Sequence, residues 1–362
     1  MKRAVLCVEN PQDYFDQLTE YSLVILNPAA NQARNNYILD NADWSLLITD
    51  QDEKYRDGND YLNEKVLHYT SGTTGDSKFY SFSQQQLDIV TANVISTYNI
   101  TSNDVYASVM PLWHAFGQTF YRVAKKVGCE LHHYSIKNWH LSSKCKPTYI
   151  ASAPAFLKTL AKFNFTNLDF IITAGTPFKD EKEYLELKHK FNSPILESFG
   201  MTETLGNCFT NPRYGEHRFG TIGIPFGIDA QIDIDNHLWL KGPACAKPDW
   251  FDTGDLAAQD EKGYYKLLSR SDDQIRSKEI MLNPNTIEKQ LLENIVGLKE
   301  CAIFGKNSVN CMYVGDCTTE SIQKFLISLG PHCKAVNILK VDSIPLNNSG
   351  KVSRTFLNQL IN

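Results

Sequence analysis

The segment 68–81, HYTSGTTGDSKFYS, has the residue types of an anion-binding loop. Its glycines permit backbone angles that other residues avoid, so successive N–H groups can converge on one anion. Its hydroxyl groups can donate further hydrogen bonds, and its lysine adds a positive charge suited to phosphate. The residues that we assign to this loop are Thr70, Ser71, Gly72, Thr73, Thr74, Gly75 and Lys78. The pattern indicates phosphate binding, although a solvated turn would have the same composition.

The spacing within this segment excludes a Walker-type phosphate loop. That motif, GxxxxGK[ST], requires a glycine directly before the lysine. Here Ser77 precedes Lys78, and Phe79 follows it in place of a hydroxyl residue. If the segment binds phosphate, it does so in a different structural setting.

Two carboxylates and one lysine stand in short motifs farther along the chain. Glu203 lies in FGMTET, Asp255 in FDTGDL and Lys351 in NSGKVSR. Carboxylates accept hydrogen bonds from hydroxyl groups and bind hard cations, and a lysine can neutralise an anion. Taken singly, an aspartate after glycine is common in turns and a lysine is usually solvated. Their chemistry therefore depends on whether the fold brings them to the loop.

The elements that position these residues alternate between strands and helices. Short apolar runs predict buried strands at 4–8, 22–26, 44–49, 148–153 and 168–173, and amphipathic patterns predict helices at 83–96 and 154–163. This alternation predicts an α/β fold with mixed sheets flanked by helices. A β-rich subregion is expected from about residue 220 to 268, where turn residues separate shorter strands.

The pattern returns to helix and strand after Arg270. We place a domain boundary at Asp272, between a large domain at 1–271 and a small α+β domain at 272–362. The net charge of −5, from 36 basic and 41 acidic residues, gives no reason to expect a nucleic-acid partner. The nine cysteines form no CxxC pair, and no apolar run has the length of a membrane span. A reduced cytoplasmic setting without membrane insertion is expected.

Several motifs, in the same order along the chain, resemble those of the adenylate-forming superfamily of acyl- and aryl-CoA ligases and peptide-synthetase adenylation domains. YTSGTTGDSK resembles its phosphate-binding signature, with Ser77 and Phe79 replacing a proline and a glycine. The other matching segments are MPLWHAFGQ (110–118), KPTYIASAPAFLKTL (146–160), TAGTPF (173–178), ESFGMTETLG (197–206), FDTGDL (251–256) and IPLNNSGKVSR (344–354). Each match is weak by itself, and their shared order is what makes the resemblance specific.

The resemblance implies ATP-dependent activation of a carboxylic acid through an acyl-adenylate, with Mg²⁺ as the cofactor. The loop hydroxyl groups and Lys78 would hold the β- and γ-phosphates, Glu203 would bind the metal and Thr202 would contact the α-phosphate. Phe199 would stack on adenine, a role in which the family commonly has tyrosine. The resemblance further assigns the ribose to Asp255 and Arg270, and the reacting carboxylate and α-phosphate to Lys351.

The acid itself is expected in a pocket with few fixed charges. The residues that the resemblance assigns to it are Trp113, Ala115, Phe116, Gly117, Ala153, Ala174, Gly175 and Met201. Their character favours a small apolar or aromatic acid. His114 would either orient the carboxylate or pack as a structural histidine.

In the second half-reaction the acyl group would pass to the thiol of coenzyme A, after the small domain rotates about Asp272. Lys278-Glu279 stands where many CoA ligases have Lys-Gly, and a glutamate there would crowd the pantetheine tunnel. The alternatives are an adenylating enzyme that serves an acyl carrier protein or another nucleophile, and a degenerate nucleotide-binding protein of the same fold. Because the phosphate loop begins at Thr70, we expect an unusually short N-terminal region that could depend on a partner.

Overall fold

The computed structural model describes residues 1–30, 32–70, 78–134, 136–247, 249–277, 280–345, 352 and 354–360. It has the mixed α/β architecture that the sequence predicts. Short 3₁₀ turns cover Pro11–Tyr14, Ile136–Leu141, Thr202–Thr204 and Pro331–Cys333. In this described part of the chain, no helix is both long and apolar enough to cross a membrane.

The first sheet has six strands and is built from the first part of the chain. Its elements are β1 (Lys2–Cys7), β2 (Tyr21–Ile25), α1 (Gln32–Asn41), β3 (Leu46–Thr49), β4 (Glu53–Tyr55), β5 (Val66–Tyr69) and β6 (Phe79–Phe82). The strand order is β4-β3-β1-β2-β5-β6, with β1 parallel to both of its neighbours and β6 antiparallel to β5. The apolar runs predicted at 4–8, 22–26 and 44–49 correspond to β1, β2 and β3.

The second sheet has seven strands and forms the centre of the molecule. Its elements are α2 (Gln84–Tyr98), β7 (Val105–Ser108), α3 (Ala115–Val127), β8 (Glu130–His133), β9 (Tyr149–Ser152), α4 (Pro154–Leu160), β10 (Phe170–Thr173), α5 (Glu181–Phe191), β11 (Ile195–Met201), β12 (Gly206–Thr210) and β13 (Ile224–Pro225). The order is β13-β12-β11-β10-β9-β7-β8, in which β8, β7, β9, β10 and β11 run parallel. Helices cover the strands, so β9 and β10 are buried along their whole length.

Local signals explain where the helices begin and end. Ser83 caps α2 by accepting a hydrogen bond from Gln86 N, and the Gln86 side chain accepts from Ser83 N in return. Asn99, in the left-handed conformation, ends the same helix. Asp180 caps α5 in a similar way. The helix predicted at 83–96 therefore starts where the sequence indicates and continues to Tyr98.

The third sheet is the β-rich subregion that the sequence predicts. Its four strands are β14 (Asp229–Ile232), β15 (His237–Lys241), β16 (Phe251–Gln259) and β17 (Tyr265–Arg270), all antiparallel. One face packs around the buried side chains of Phe209, Leu240 and Tyr265. This core joins the third sheet to β12 of the second.

The C-terminal segment has a core of its own, formed by residues such as Ile275, Leu291 and Tyr313. Its elements are β18 (Ile275–Ser277), β19 (Ile280–Leu282), α6 (Pro284–Asn294), β20 (Leu298–Phe304), β21 (Val309–Gly315), α7 (Thr319–Ser328), β22 (Ala335–Lys340) and α8 (Arg354–Leu360). Asp272 lies in the turn between β17 and β18. The domain boundary at this residue and its use as a hinge stay predictions.

Candidate functional site

Most of the candidate residues of the large domain lie at one edge of the second sheet. Strands β7, β9, β10 and β11 are parallel neighbours, so their carboxyl ends meet along that edge. Ligands of open α/β sheets bind outside such carboxyl ends. The sequence-predicted residues at or soon after these strand ends are Trp113, His114, Ala153, Ala174, Gly175, Phe199, Met201, Thr202 and Glu203, while Phe116 and Gly117 lie in the first turn of α3, the helix that follows β7. The topology thus brings together motifs that are far apart in sequence.

The phosphate-loop motif connects two antiparallel strands of the first sheet. Tyr69 pairs with Phe79. Just beyond this pair, Thr70 N donates to Lys78 O over 2.9 Å and Lys78 N donates to Thr70 Oγ1 over 3.2 Å. The two ends of the loop, Thr70 and Lys78, therefore lie next to each other, and Lys78 is exposed. The loop residues Ser71, Gly72, Thr73, Thr74 and Gly75 lie outside the described residues, as do Lys351 and the Lys278-Glu279 pair.

Tyr80 joins this hairpin to the edge of the second sheet. Its Oη donates to Glu203 Oε1 over 2.7 Å, across 123 positions of sequence. Burial, and then the hydrogen bond to Glu203, raise the pKa of Tyr80 above its usual value, so the phenol keeps the proton that it donates. The strand that leaves the phosphate-loop motif thereby reaches the carboxylate that the resemblance assigns to the metal.

The turn that carries Glu203 is held by backbone and hydroxyl contacts. Thr204 Oγ1 donates to Gly206 O over 2.8 Å and accepts from Met201 N over 3.0 Å. Ala246 N donates to Glu203 O over 2.8 Å, which ties the turn to the connection between β15 and β16 of the third sheet. A Cβ on Gly200 would come 1.9 Å from Gly206 O, so only glycine fits there. The conformation of GMTET is set by these contacts.

Phe199 stands on β11 with one side of its ring supported. It packs edge-on against Phe209, its partner on β12, with a centroid distance of 5.9 Å. Phe209 in turn contacts Tyr265 on β17 at 5.2 Å. Phe199 itself is only partly buried, so part of its ring remains accessible for stacking.

Asp255 and Arg270 are direct neighbours on β16 and β17. Arg270 Nη1 lies 3.2 Å from Asp255 Oδ1 and donates to Thr253 O over 2.8 Å. Burial lowers the pKa of Arg270, but the charges of Asp255 and Asp272 outweigh it, and the pKa is raised overall. Gly254 has φ +74°, and a Cβ there would lie 2.6 Å from Arg270 Nη2. The two residues that the resemblance assigns to ribose therefore form one ion pair.

The residues assigned to the acid pocket differ in their surroundings. Trp113 packs partly against the core of the first sheet, and Phe116 contacts Phe120 with a centroid distance of 5.2 Å. A Cβ on Gly117 would lie 2.4 Å from Pro111 O, which gives this buried glycine a packing role. A Cβ on Gly175 would meet no atom within 4 Å. His114 is exposed at the start of α3.

Two residues near this edge escaped the sequence analysis. Tyr80 lies on β6, two residues after Lys78, and this short distance in sequence could have identified it as a candidate site residue. Arg122, on α3, donates hydrogen bonds to Gln118 and Thr119 and is partly buried. A single arginine on an amphipathic helix is usually a surface charge, so its sequence context offered no signal.

Glu197, at the start of ESFGMTETLG, makes the stability of this edge dependent on pH. It accepts a hydrogen bond from Gly220 N over 2.9 Å, yet burial raises its pKa from 4.5 to about 7. Between those pH values the folded state keeps a proton that the unfolded state has lost. We expect the free energy of unfolding to fall as pH rises through this window, by about 1–3 kcal/mol, and to level off above it.

Urea denaturation of the wild type and of Glu197→Gln at several pH values measures this effect. The variant has no titrating carboxyl at this position, so its stability should decline less between about pH 4.5 and 7. Parallel curves for the two proteins would contradict the assignment.

Comparisons with known proteins agree with this geometry. Residues 63–243 match the family described as AMP-binding enzyme. The chain is 26% identical over 324 residues to a 2-succinylbenzoate–CoA ligase of Listeria monocytogenes, covering 80% of this chain and 69% of the relative. It is 25% identical over 357 residues to a long-chain-fatty-acid–CoA ligase of Yersinia pestis, covering 80% and 60%.

Solved structures share the fold. ATP-bound MatB from Rhodopseudomonas palustris superposes with a TM-score of 0.84 at 19% identity, covering 99% of this chain and 88% of that one. O-succinylbenzoate Coenzyme A synthetase from Bacillus subtilis, in complex with AMP, gives 0.82 at 20% identity, covering 98% and 88%.

Proposed function

The chain belongs to the AMP-binding enzyme family, and from this membership we propose that it is an AMP-forming acid–CoA ligase. In the first half-reaction, a carboxylate oxygen of a small acid attacks the α-phosphorus of ATP. Pyrophosphate leaves with the electron pair of the broken P–O bond, and an acyl-adenylate forms. In the second, the thiolate of coenzyme A attacks the acyl carbon, and AMP leaves.

The hydrogen bond between Tyr80 and Glu203 carries this proposal. It connects the hairpin of the phosphate-loop motif to the carboxylate assigned to Mg²⁺. An enzyme that acts on Mg·ATP needs a carboxylate near its phosphate-binding loop, because Glu203 would help to hold Mg²⁺ and the metal would neutralise charge on the phosphates.

The described residues fit Mg²⁺ held mainly by the nucleotide. They contain no group of three or more His, Cys, Asp or Glu side chains that could enclose a metal. Mg²⁺ is commonly bound through one or two carboxylates together with substrate phosphates and water. Glu203 would supply such a carboxylate, and bound Mg²⁺ would neutralise charge on the phosphates.

The remaining nucleotide contacts follow from the same placement. Phe199 would offer its accessible ring to adenine. Asp255 would accept hydrogen bonds from the ribose hydroxyls, with its position held by Arg270. Thr202, beside Glu203, would donate to the α-phosphate. Lys78 and the hydroxyl groups of the loop would hold the β- and γ-phosphates.

The assignments of Lys351 and Asp272 rest on the family resemblance. Lys351 would neutralise the charge that develops as the carboxylate meets the α-phosphorus. Asp272 would be the hinge that exchanges the adenylation and thioester-forming arrangements. The acid would lie beside Trp113 and Phe116, with His114 at the same helix start.

The test is a screen of carboxylic acids for acid-dependent exchange between ATP and pyrophosphate, followed by thioester assays. We expect exchange with at least one small acid, and its coenzyme A thioester as the product. Exchange without this thioester, but with loading of an acyl carrier protein, would favour the alternative acceptor. Nucleotide binding without exchange for any acid would favour the degenerate protein and overturn the proposal.

Replacing Tyr80 by phenylalanine tests the contact on which the proposal depends. The loss of one hydrogen bond to a charged acceptor, about 1.5–3 kcal/mol, should raise the KM for Mg·ATP by about tenfold or more. Tyr69→Phe is the matched control, because it removes a phenol of the same hairpin that donates only to Ile25 O. Equal effects of the two variants on this KM would show that the contact between Tyr80 and Glu203 has no specific role in binding Mg·ATP, and would contradict the proposal.

A further inference from the structure

Arg122 has a positioned guanidinium without a carboxylate partner. Nη1 donates to Gln118 Oε1 over 3.2 Å, and Nη2 donates to Thr119 Oγ1 over 3.1 Å. Within the described ranges, no aspartate or glutamate oxygen forms an ion pair with it. Arginines that do have such a partner are Arg3, Arg213, Arg218, Arg270 and Arg354. Arg34, Arg56 and Arg276 have no such partner in the described ranges either, but of these four arginines only Arg122 has a buried nitrogen without a hydrogen-bond partner among the described residues. A buried cation without an anion is costly, so this environment points to a missing ligand.

The two hydrogen-bond partners fix where the guanidinium lies. Gln118 Nε2 donates to Leu112 O over 2.7 Å, and Thr119 Oγ1 donates to Leu205 O over 2.8 Å. Leu112 lies three positions before the start of α3, where the acid pocket is expected. Leu205 follows Glu203 by two positions. Arg122 is therefore held between the proposed acid pocket and the turn that carries the metal carboxylate.

A buried histidine beside Arg122 leaves its charge uncompensated. His68 is only 4% exposed, and its Nε2 has no hydrogen-bond partner among the residues that the structure describes. Burial, followed by the charges of Arg122 and His114, lowers the pKa of His68 to about 3, so it is neutral. Burial also lowers the pKa of Arg122, to about 10, which leaves the guanidinium charged at neutral pH. Arg122 Nε is a second buried nitrogen with no hydrogen-bond partner in the described part of the chain.

We propose that Arg122 binds a second carboxylate of the acid substrate, which makes that substrate a dicarboxylic acid with an apolar or aromatic body. This inference rests on the proposed ligase function. A guanidinium has five N–H donors, and the hydrogen bonds described above use two of them, so the rest can bind a carboxylate. Trp113 and Phe116, near the start of the same helix, suit the body of the acid.

The carboxylate that reacts is the poorer candidate for this contact. It must present a free lone pair to the α-phosphorus, and an arginine fork would withdraw electron density from both of its oxygens. The cation assigned to the reacting centre is Lys351. Arg122 therefore acts on specificity, and its loss should affect one class of acid more than another.

Two matched pairs of acids test the proposal: 2-succinylbenzoate with 4-oxo-4-phenylbutanoate, and octanedioate with octanoate. Each pair differs by one carboxylate. The measurement is kcat/KM for acid-dependent pyrophosphate release. For whichever pair the wild type accepts, we expect this value to be at least about tenfold higher for the diacid than for the matched monoacid. Arg122→Gln should lower this ratio about tenfold or more, mainly through the KM of the diacid. Arg122→Lys, which keeps the charge, should restore part of it.

Lys125→Gln is the matched control, because it removes an exposed positive charge from the same helix. It should leave the ratio unchanged. The ratio is independent of the folded fraction of each variant, so partial misfolding cannot imitate the result. A wild type that favours the monoacid, or an Arg122→Gln variant with equal losses for both acids, would overturn the proposal. Absence of release with every acid would instead contradict the ligase function.

Discussion

Replacing Lys351 by alanine should lower acid-dependent ATP–pyrophosphate exchange by about 10²–10³-fold. The attack of a carboxylate on the α-phosphorus brings two anions together, and negative charge accumulates on the phosphoryl oxygens in the transition state. The ammonium of Lys351 would be fixed in place to stabilise that charge. In the variant, water would take the place of the ammonium and would have to reorganise during the reaction, which costs free energy. The measurement is the exchange rate at saturating ATP and acid.

The same variant should retain most of its second half-reaction. When preformed acyl-AMP and coenzyme A are supplied, we expect thioester formation to fall less than about tenfold, because the anhydride already exists and no pentavalent phosphorus forms. Lys340→Ala, at an exposed position of β22, controls for the loss of one positive charge from the same segment. Equal losses in both half-reactions would contradict the assignment of Lys351 to adenylation.

Replacing Arg354 by alanine should destabilise the C-terminal segment by about 3 kcal/mol. Arg354 Nη1 donates to Asp273 Oδ2 over 3.0 Å, and Nη2 donates to Glu288 Oε1 over 2.7 Å. Its Nε donates to Ile303 O over 2.9 Å. Burial raises the pKa of both carboxyl groups, and the charge of Arg354 opposes that rise. Without the guanidinium, two carboxylates would share a poorly solvated site.

Urea denaturation monitored by hydrogen exchange in β20 and β21 measures this loss. It should be smaller at pH 5 than at pH 8, because the unpaired carboxyl groups can take up protons at the lower pH. Arg218→Ala is the control, since Arg218 pairs with Glu216 and Asp260 at the surface, where solvent screens the charges, and its loss should cost much less. If Arg354→Ala lowers the free energy of unfolding as little as Arg218→Ala does, the ion pairs of Arg354 with Asp273 and Glu288 contribute little to stability.

The contacts of Arg354 with Asp273, Glu288 and Ile303 should also affect catalysis. Arg354 lies three positions after Lys351 and is anchored to Asp273, the residue that follows the proposed hinge. It is a positioning residue for the tail of the chain. Arg354→Ala should therefore also reduce adenylation, and an unchanged exchange rate would contradict this positioning role.

The chemistry of this protein was readable from the sequence because it depends on residue types at short spacing. The glycine and hydroxyl run before Lys78, the carboxylates of Glu203 and Asp255, and the order of the motifs all lie within local segments. The buried strands at 148–153 and 168–173 were predicted for the same reason, since a short apolar run bounded by polar residues reports burial directly. The α/β class follows from their alternation with helices, and the structure confirms it.

Only the tertiary structure decided which of these segments meet. Tyr80, on the first sheet, reaches Glu203 in the turn after β11 of the second sheet, and no local pattern encodes the packing that brings them together. Arg122 reads as a surface charge until Thr119 and Leu205 are seen to hold it beside the site. The family resemblance assigns Gly117 to the acid pocket. The close approach of Pro111 O adds a packing role for this glycine that the sequence could not reveal. The physical reason is common to all three: side-chain periodicity records which face of an element is buried, whereas the identity of the neighbour depends on strand order and helix packing.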